Sequence, residues 1–75
     1  MYAEMFPIKL KKARKDTGFT QKEVALELKI DRSQIASYET GRTQPDIETL
    51  GKLADFYGVS VDWLIGTKGT ISKKS

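Results

Sequence analysis

Two closely spaced helix-start signals constrain the fold of this chain more than any other feature of its sequence. Thr20, followed by Glu23 three positions later, has the capping-box pattern, in which each side chain accepts a bond from the other residue's backbone N–H. Asp31 and Gln34 repeat the same spacing directly afterwards. We therefore expect two short helices, each with its own cap, separated by a turn of only a few residues.

Apolar residues at helical spacing extend this prediction to five helices. Phe6, Leu10 and Ala13 recur on one face before Gly18, a typical helix terminator. The predicted elements are helix 1 from Pro7 to about Asp16, helix 2 from Gln21 to about Leu28, helix 3 from Arg32 to Thr40, helix 4 between the cap Asp46 and Gly58, and helix 5 between the cap Ser60 and Gly66. No segment reads as a strand, so the predicted fold class is all-α, a compact five-helix bundle.

The predicted helices differ in how much apolar surface they carry. Helix 4 has the core spacing at Ile47, Leu50, Leu53, Ala54 and either Phe56 or Tyr57. Helix 3 is poorer, because its buried side consists only of Ile35, Tyr38 and part of Ala36. Four polar residues are left on or near its outward side, namely Arg32, Ser33, Gln34 and Ser37. This helix is polar where a pure core helix would be apolar.

The composition argues against most kinds of chemistry. The 75 residues include no cysteine and no histidine, which removes thiol nucleophiles, disulfides and the usual zinc ligands. There is no glycine-rich phosphate loop either, so we expect no enzyme, no cofactor and no metal site. No stretch approaches the ~20 apolar residues of a membrane span, and we expect a cytoplasmic protein. The length fits one domain over residues 1–66, with 67–75 as a flexible basic tail or the start of a linker.

Charge is distributed unevenly along the chain. The net charge is +3, yet residues 1–30 carry seven basic against four acidic side chains, and residues 43–66 carry one basic against four acidic. Such polarity suits a surface that meets a polyanion on one side only. The lysines are also compatible with an ordinary solvated helix face.

Helices 2 and 3 form the most informative unit. Helices this short, joined by so tight a turn, must cross at a steep angle, which is the helix-turn-helix arrangement. The start of helix 3 then projects outward, and an α-helix fits the major groove of duplex DNA. Lys29 occupies the turn where glycine is usual, which indicates either strain of ~1 kcal/mol or a different turn path. Gly51, inside helix 4, indicates either a close helix contact or a partner surface.

Three motifs carry a resemblance to a known family. The segments T-Q-K-E-V-A, I-A-S-Y-E-T-G-R-T-Q-P and G-V-S-V-D-W-L, in this order and spacing, resemble the phage repressor and Cro family of helix-turn-helix proteins, a lambda-repressor-like or XRE-type domain. The resemblance covers residues 6–66. It implies a bacterial or phage-encoded DNA-binding domain that acts as a dimer on a near-palindromic operator, most often as a repressor.

The resemblance also implies which residues make the contacts. The base-reading residues are Arg32, Ser33 and Ser37, with Gln34 nearby. Arg32 is the strongest candidate, because a guanidinium bonds both N7 and O6 of guanine, a contact worth about 1–3 kcal/mol of discrimination. The phosphate-binding residues are Gln21 and, through backbone amides and a guanidinium, the loop residues Thr40, Gly41, Arg42, Thr43 and Gln44. Arg14 and Glu39 match an internal pair that ties helix 1 to the end of helix 3.

Simpler interpretations stay open for these residues. Arg32 also fits a solvated first-turn arginine, the two serines fit exposed positions, Gln21 fits an ordinary first-turn residue, and the loop fits an ordinary turn. Tyr57 and Trp63 are expected in the core or at the edge of a dimer. A second function is also compatible with the sequence, namely an antitoxin or antirepressor that holds another protein through the acidic helices 4 and 5.

Overall fold

Five α-helices follow one another along residues 4–66, the part of the chain that the computed structural model describes. They are α1 (Phe6–Thr17), α2 (Gln21–Leu28), α3 (Arg32–Thr40), α4 (Ile47–Tyr57) and α5 (Val61–Ile65). The all-α prediction is confirmed, and α1 is one residue longer at each end than predicted. The predicted tail, 67–75, lies outside the described residues. Within residues 4–66, no helix combines the length and apolarity that a membrane crossing requires.

Three of the four predicted side-chain caps are present. Thr20 and Glu23 form the full capping box, since the Glu23 N–H donates to Thr20 Oγ1 at 3.1 Å and the Thr20 N–H donates to Glu23 Oε1 at 2.9 Å. The other two caps are Asp46, which accepts from the Thr49 N–H at 3.0 Å, and Ser60, which accepts from the Trp63 N–H at 3.0 Å. These bonds satisfy N–H groups that the first turn of each helix leaves without a helical partner.

The predicted cap at Asp31 is wrong in its chemistry. Asp31 occupies the N-cap position of α3, but its carboxylate makes no capping bond. Its backbone carbonyl accepts from the Gln34 N–H at 3.0 Å and from the Ile35 N–H at 3.3 Å instead. Because the carbonyl already satisfies Gln34, the reciprocal box does not form and the carboxylate stays exposed at the start of α3.

The core forms where all five helices turn apolar side chains inward. The buried apolar side chains are Phe6, Leu10, Ala13, Val24, Ala25, Ile35, Tyr38, Leu50, Leu53, Ala54, Tyr57 and Leu64. Ile47, predicted for this core, is 78 % exposed. It is the first residue of α4, and helical side chains lean toward the N-terminus, so Ile47 points past the helix start into solvent.

Of the two turn conformations considered for Lys29, strain or a different path, the turn between α2 and α3 has the strained one. Lys29 has φ 58° and ψ 45°, in the left-handed region, and is the one non-glycine residue with positive φ among residues 4–66. The N–H groups of Lys29 and Ile30 both donate to the carbonyl of Ala25, which ends α2. Gly51 shows no close helix contact, since a Cβ built there meets no atom within 4 Å.

A lysine of α1 adds to the apolar packing that holds the short helix α5 in place. Lys9 Nζ donates to the carbonyl of Trp63 at 3.2 Å and lies 5.3 Å from the centroid of its ring. The ring itself is half-buried and packs against the core, as the sequence predicted for a large aromatic. A cation above an aromatic face is attracted to the ring quadrupole, so Lys9 helps to hold Trp63 in place.

Candidate nucleic-acid interface

The outward side of α3 is mostly polar, with Ala36 between its two serines. Ile35 and Tyr38 turn inward, with exposures of 0 % and 6 %. Ser33 lies on the opposite side and is exposed, and Arg32 is exposed in the first turn, at the flank of the buried side. Gln34 is exposed as well, and Ser37 is half-buried. Ser33 and Ser37 therefore share the outward face of α3, whereas Arg32 and Gln34 lie on its two flanks.

A shallow concavity joins this face to the loop that follows. It encloses about 340 Å³ and is lined by Ser33, Ala36, Ser37, Thr40 and Arg42. A second concavity of about 260 Å³ adjoins it and is lined by Arg32, Ser33 and Ala36. Ala36 was not among the predicted site residues, although its position between two serines on the same face could have indicated it.

The loop after α3 uses part of its backbone to end the helix. Gly41 has φ 82°, in the left-handed region, and its N–H donates to the carbonyl of Tyr38 at 3.4 Å. The Arg42 N–H donates to the carbonyl of Ser37 at 3.0 Å. The expectation that the amides of Gly41 and Arg42 bind phosphate is therefore corrected, because both already bond within the chain. The Thr40 hydroxyl also donates to the Ser37 carbonyl, at 3.2 Å.

The rest of this loop faces outward beside the start of α1. Thr43 and Gln44 are exposed and line a concavity of about 330 Å³ together with Glu4, Phe6, Pro7, Thr40 and Gly41. Glycine is favoured here for a second reason, because a Cβ at this position would meet Pro7 Cγ at a tight 3.3 Å. The start of α1 thus packs closely against the loop and fixes its path.

A buried carboxylate connects three helices behind this surface. Arg14 on α1 donates to Glu39 on α3 through Nε at 2.7 Å and through Nη2 at 3.1 Å, and their side chains are 11 % and 2 % exposed. The guanidinium also donates to the Phe19 carbonyl at 2.9 Å. The hydrogen bond to Glu39 raises the pKa of Arg14. The pair joins α1 to the end of α3. Both side chains are largely buried, and the positive charge of Arg14 compensates the negative charge of Glu39.

Gln21 belongs to the same cluster, which the sequence did not indicate. Its Nε2 donates to Glu39 Oε1 at 3.1 Å, so the carboxylate accepts three bonds from two side chains. Tyr57 is buried nearby, and burial together with the negative charge of Glu39 raises the pKa of its phenol to about 12. No hydrogen-bond partner for the Tyr57 hydroxyl exists within residues 4–66.

The acidic half of the chain lies on the later helices. Glu48, Asp55 and Asp62 are exposed on α4 and α5. Asp46 caps α4, and its hydrogen bonds with Thr49 lower the pKa of its carboxyl. No group of three or more potential metal ligands occurs among the described residues.

This geometry defines a class of domain. Five helices in which α2 and α3 meet across a tight turn, with a polar face on α3, form a helix-turn-helix domain. The chain belongs to the helix-turn-helix family, whose sequence model matches residues 10–64. Proteins of this family are DNA-binding transcriptional regulators and are not enzymes.

The chain is similar to several phage-type regulators. The HTH-type transcriptional regulator ImmR of Bacillus subtilis (strain 168) is 45% identical over 67 residues, which are 89% of this chain and 52% of ImmR. The cryptic phage CTXphi transcriptional repressor RstR of Vibrio cholerae is 35% identical over 66 residues, 88% of this chain and 60% of RstR. A crystal structure of a transcriptional regulator from Listeria innocua superimposes with a TM-score of 0.74 at 30% identity, over 93% of this chain and 63% of that one. The chain thus spans little more than half the length of these relatives.

Proposed function

We propose that this chain acts as a sequence-specific, double-stranded DNA-binding transcriptional repressor. In this proposal two copies bind a near-palindromic operator, each with its α3 in the major groove, in the cytoplasm of a bacterium. One α-helix reads only a few base pairs, and two-fold symmetry doubles the site, which favours a dimer. Similarity to the repressor RstR supports repression as the sign of regulation.

The observation that carries the proposal is the exposed polar face of α3. Packing of Ile35 and Tyr38 into the core fixes the rotation of α3 and leaves Arg32 and Ser33 exposed at its start. Side chains at the start of a recognition helix are the ones that reach base edges in this arrangement. A helix kept polar on the side that projects from the domain suits a polar groove.

The proposed base readers differ in strength. Arg32 bonds a guanine through both N7 and O6, and is the main determinant of sequence. Ser33 and Ser37 add weaker contacts, because short hydroxyls bond bases or phosphates with little selectivity. Gln34 lies nearby. The concavity that Ser33 and Ser37 share lets the groove edge approach α3 closely.

The proposed phosphate contacts lie on either side of this face. The Gln21 side chain and the backbone N–H groups of Gln21 and Lys22, which precede the capped Glu23 N–H, hold one phosphate. The loop holds the other through the Arg42 guanidinium and the exposed residues Thr43 and Gln44, with Gly41 supplying the turn. Thr40 lines this part of the surface, and its hydroxyl donates to the Ser37 carbonyl. These contacts position α3 and do not themselves read sequence.

Selection of bound duplexes from a random pool tests the proposal directly. The expected result is an inverted repeat with one fixed guanine in each half, which establishes DNA binding, symmetry and spacing together. Recovery of no preferred sequence contradicts sequence-specific binding. A single unrepeated site contradicts the dimer, and sedimentation of the protein with and without that duplex measures the number of copies directly.

Two arginine variants separate reading from positioning. Arg32→Ala is expected to abolish preference among operator variants, because the guanine contact is lost. Arg42→Ala is expected to weaken binding to all duplexes alike and to reduce the salt dependence of affinity by about one counterion. Equal loss on every duplex for both variants would show that Arg32 does not read bases.

A protein-interaction module is the second candidate, because of one feature of α4. Ile47 is 78 % exposed and stands between Asp46 and Glu48 on the acidic part of the molecule. An apolar anchor rimmed by charge is typical of a protein contact. Salt distinguishes the two functions, since binding through several phosphates weakens steeply and linearly on a log–log plot, whereas apolar association does not.

A further inference from the structure

The bond between Gln21 and Glu39 gives the amide of Gln21 a defined orientation. Nε2 of Gln21 donates to Glu39 Oε1 at 3.1 Å. A carboxylate accepts hydrogen bonds and does not donate them, so only the NH₂ end of the amide can face Glu39. A flip of the amide would place two acceptor oxygens against each other, which the buried carboxylate strongly disfavours.

Orientation matters because the two ends of a glutamine amide have opposite effects on a phosphate. The NH₂ group has two hydrogens in the amide plane, and the bond to Glu39 uses one of them. The second remains for another acceptor, whereas the carbonyl oxygen would repel a phosphate. Because the Gln21 side chain is already ordered before DNA binds, it can donate this N–H with little further loss of rotamer entropy.

Glu39 is itself rigidly held and electrically balanced. Arg14 donates to both of its oxygens, at 2.7 Å and 3.1 Å, and the Glu39 side chain is only 2 % exposed. The guanidinium compensates the carboxylate charge, so the cluster does not oppose an approaching anion. The bonds run from α1 through α3 to the first residue of α2.

We propose that Glu39 is a positioning residue for DNA binding, which acts by orienting the amide of Gln21 toward a backbone phosphate. This inference rests on the proposed function and adds to it a role beyond the internal pair with Arg14. Glu39 does not touch DNA, and its effect on affinity passes through Gln21 alone.

A double-mutant cycle on operator affinity tests the inference. Glu39→Gln retains the shape of the side chain but lets its own amide turn, so Gln21 is no longer held in one orientation. We expect operator binding to weaken about five- to tenfold, the range for partial loss of a hydrogen bond to a charged group. In a Gln21→Ala background, the same Glu39→Gln change is expected to alter affinity less than about twofold.

The matching outcomes separate positioning from a general structural role. If Glu39 only stabilises the fold, Glu39→Gln lowers affinity by the same factor in both backgrounds, and the inference is wrong. Thermal unfolding of each variant shows that binding is measured on folded protein. A wild-type chain that binds no duplex overturns the proposed function itself, whereas operator binding with independent effects overturns only the role of Glu39.

Replacement of single phosphates provides a readout that a structural role would not change. Methylphosphonates, which remove one phosphate charge at a time, are expected to reveal one position per half-site where the wild-type protein loses affinity and the Gln21→Ala variant does not. Glu39→Gln should lose less than wild type at that position. An unchanged loss there contradicts the inference.

Gln21→Asn tests the positioning of the Gln21 amide while leaving the Arg14–Glu39 pair unsubstituted. An asparagine is one methylene shorter and cannot reach both Glu39 and the surface position of the glutamine amide. It is expected to weaken binding as Gln21→Ala does, and to lose sensitivity at the same methylphosphonate. Full operator affinity in Gln21→Asn would overturn the inference even if Glu39→Gln did not fold.

Discussion

Lys29→Gly is expected to stabilise the domain, and the size of the effect follows from the backbone. Lys29 has φ 58° and ψ 45°, and an L-residue in this region costs roughly 1–2 kcal/mol because its Cβ crowds the following carbonyl. Glycine avoids that cost but loses more chain entropy on folding, about 0.4–1 kcal/mol. The free energy of unfolding should therefore rise by about 0.5–1 kcal/mol.

Thermal and urea unfolding both measure this change. For a domain of this size, about 0.5–1 kcal/mol corresponds to a rise in Tm of roughly 2–8 °C. Lys29→Gln is the matched control, because it removes the charge and keeps the strained side chain, and it should leave Tm nearly unchanged. The same control shows whether the charge of Lys29 contributes to DNA affinity.

The reverse substitution completes the test. Gly58 ends α4 with φ 72°, and a Cβ there would meet no atom within 4 Å. Gly58→Lys should thus lose about 0.5–1 kcal/mol through backbone strain alone. If Lys29→Gly is no more stable than Lys29→Gln, the left-handed turn carries no strain and the reasoning is refuted.

Three further predictions concern caps and the buried phenol. Thr20→Ala should lower the free energy of unfolding, measured in urea, by about 1 kcal/mol, because it removes a cap. Asp31→Ala should lower it by less than about 0.5 kcal/mol, because the Asp31 carboxylate makes no capping bond. Equal losses in the two variants would contradict this prediction. Tyr57→Phe should raise it by about 1 kcal/mol, since the buried hydroxyl has no partner within residues 4–66, and a loss would reveal a hidden one. The phenol's pKa is raised from 10.0 to about 12, so above pH 10 the unfolded chain loses a proton that the folded chain keeps. Stability should therefore fall between pH 10 and 12, and Tyr57→Phe should flatten that fall in pH-dependent unfolding.

Helix boundaries were predictable because their signals are local. The bounds of α2 and α3 match the prediction, since Thr20 and Gly41 act through residues within one turn of themselves. Asp31 shows the limit of this logic. A side-chain cap and a backbone carbonyl compete for the same N–H, and the outcome depends on the path of the incoming chain, which Lys29 sets.

The burial and bonding of single side chains were harder to predict. Ile47 has the correct spacing for the core but lies at a helix start, where no preceding turn covers it. The bond from Gln21 to Glu39 joins residues 18 positions apart on different helices, and nothing in their local sequence indicates it. The outward residues of α3 were predictable because burial of Ile35 and Tyr38 determines the opposite face. Which bases they contact stays a prediction.

The three bonds at Glu39 have a mechanical consequence. Because they fasten α1, the start of α2 and the end of α3 to one carboxylate, the two edges of the proposed DNA surface keep a fixed separation. If the protein surface does not change shape on binding, the duplex must deform to fit it. We therefore expect operators to differ in affinity through the bendability of base pairs that no side chain touches, since deforming a stiff sequence costs more than deforming a flexible one.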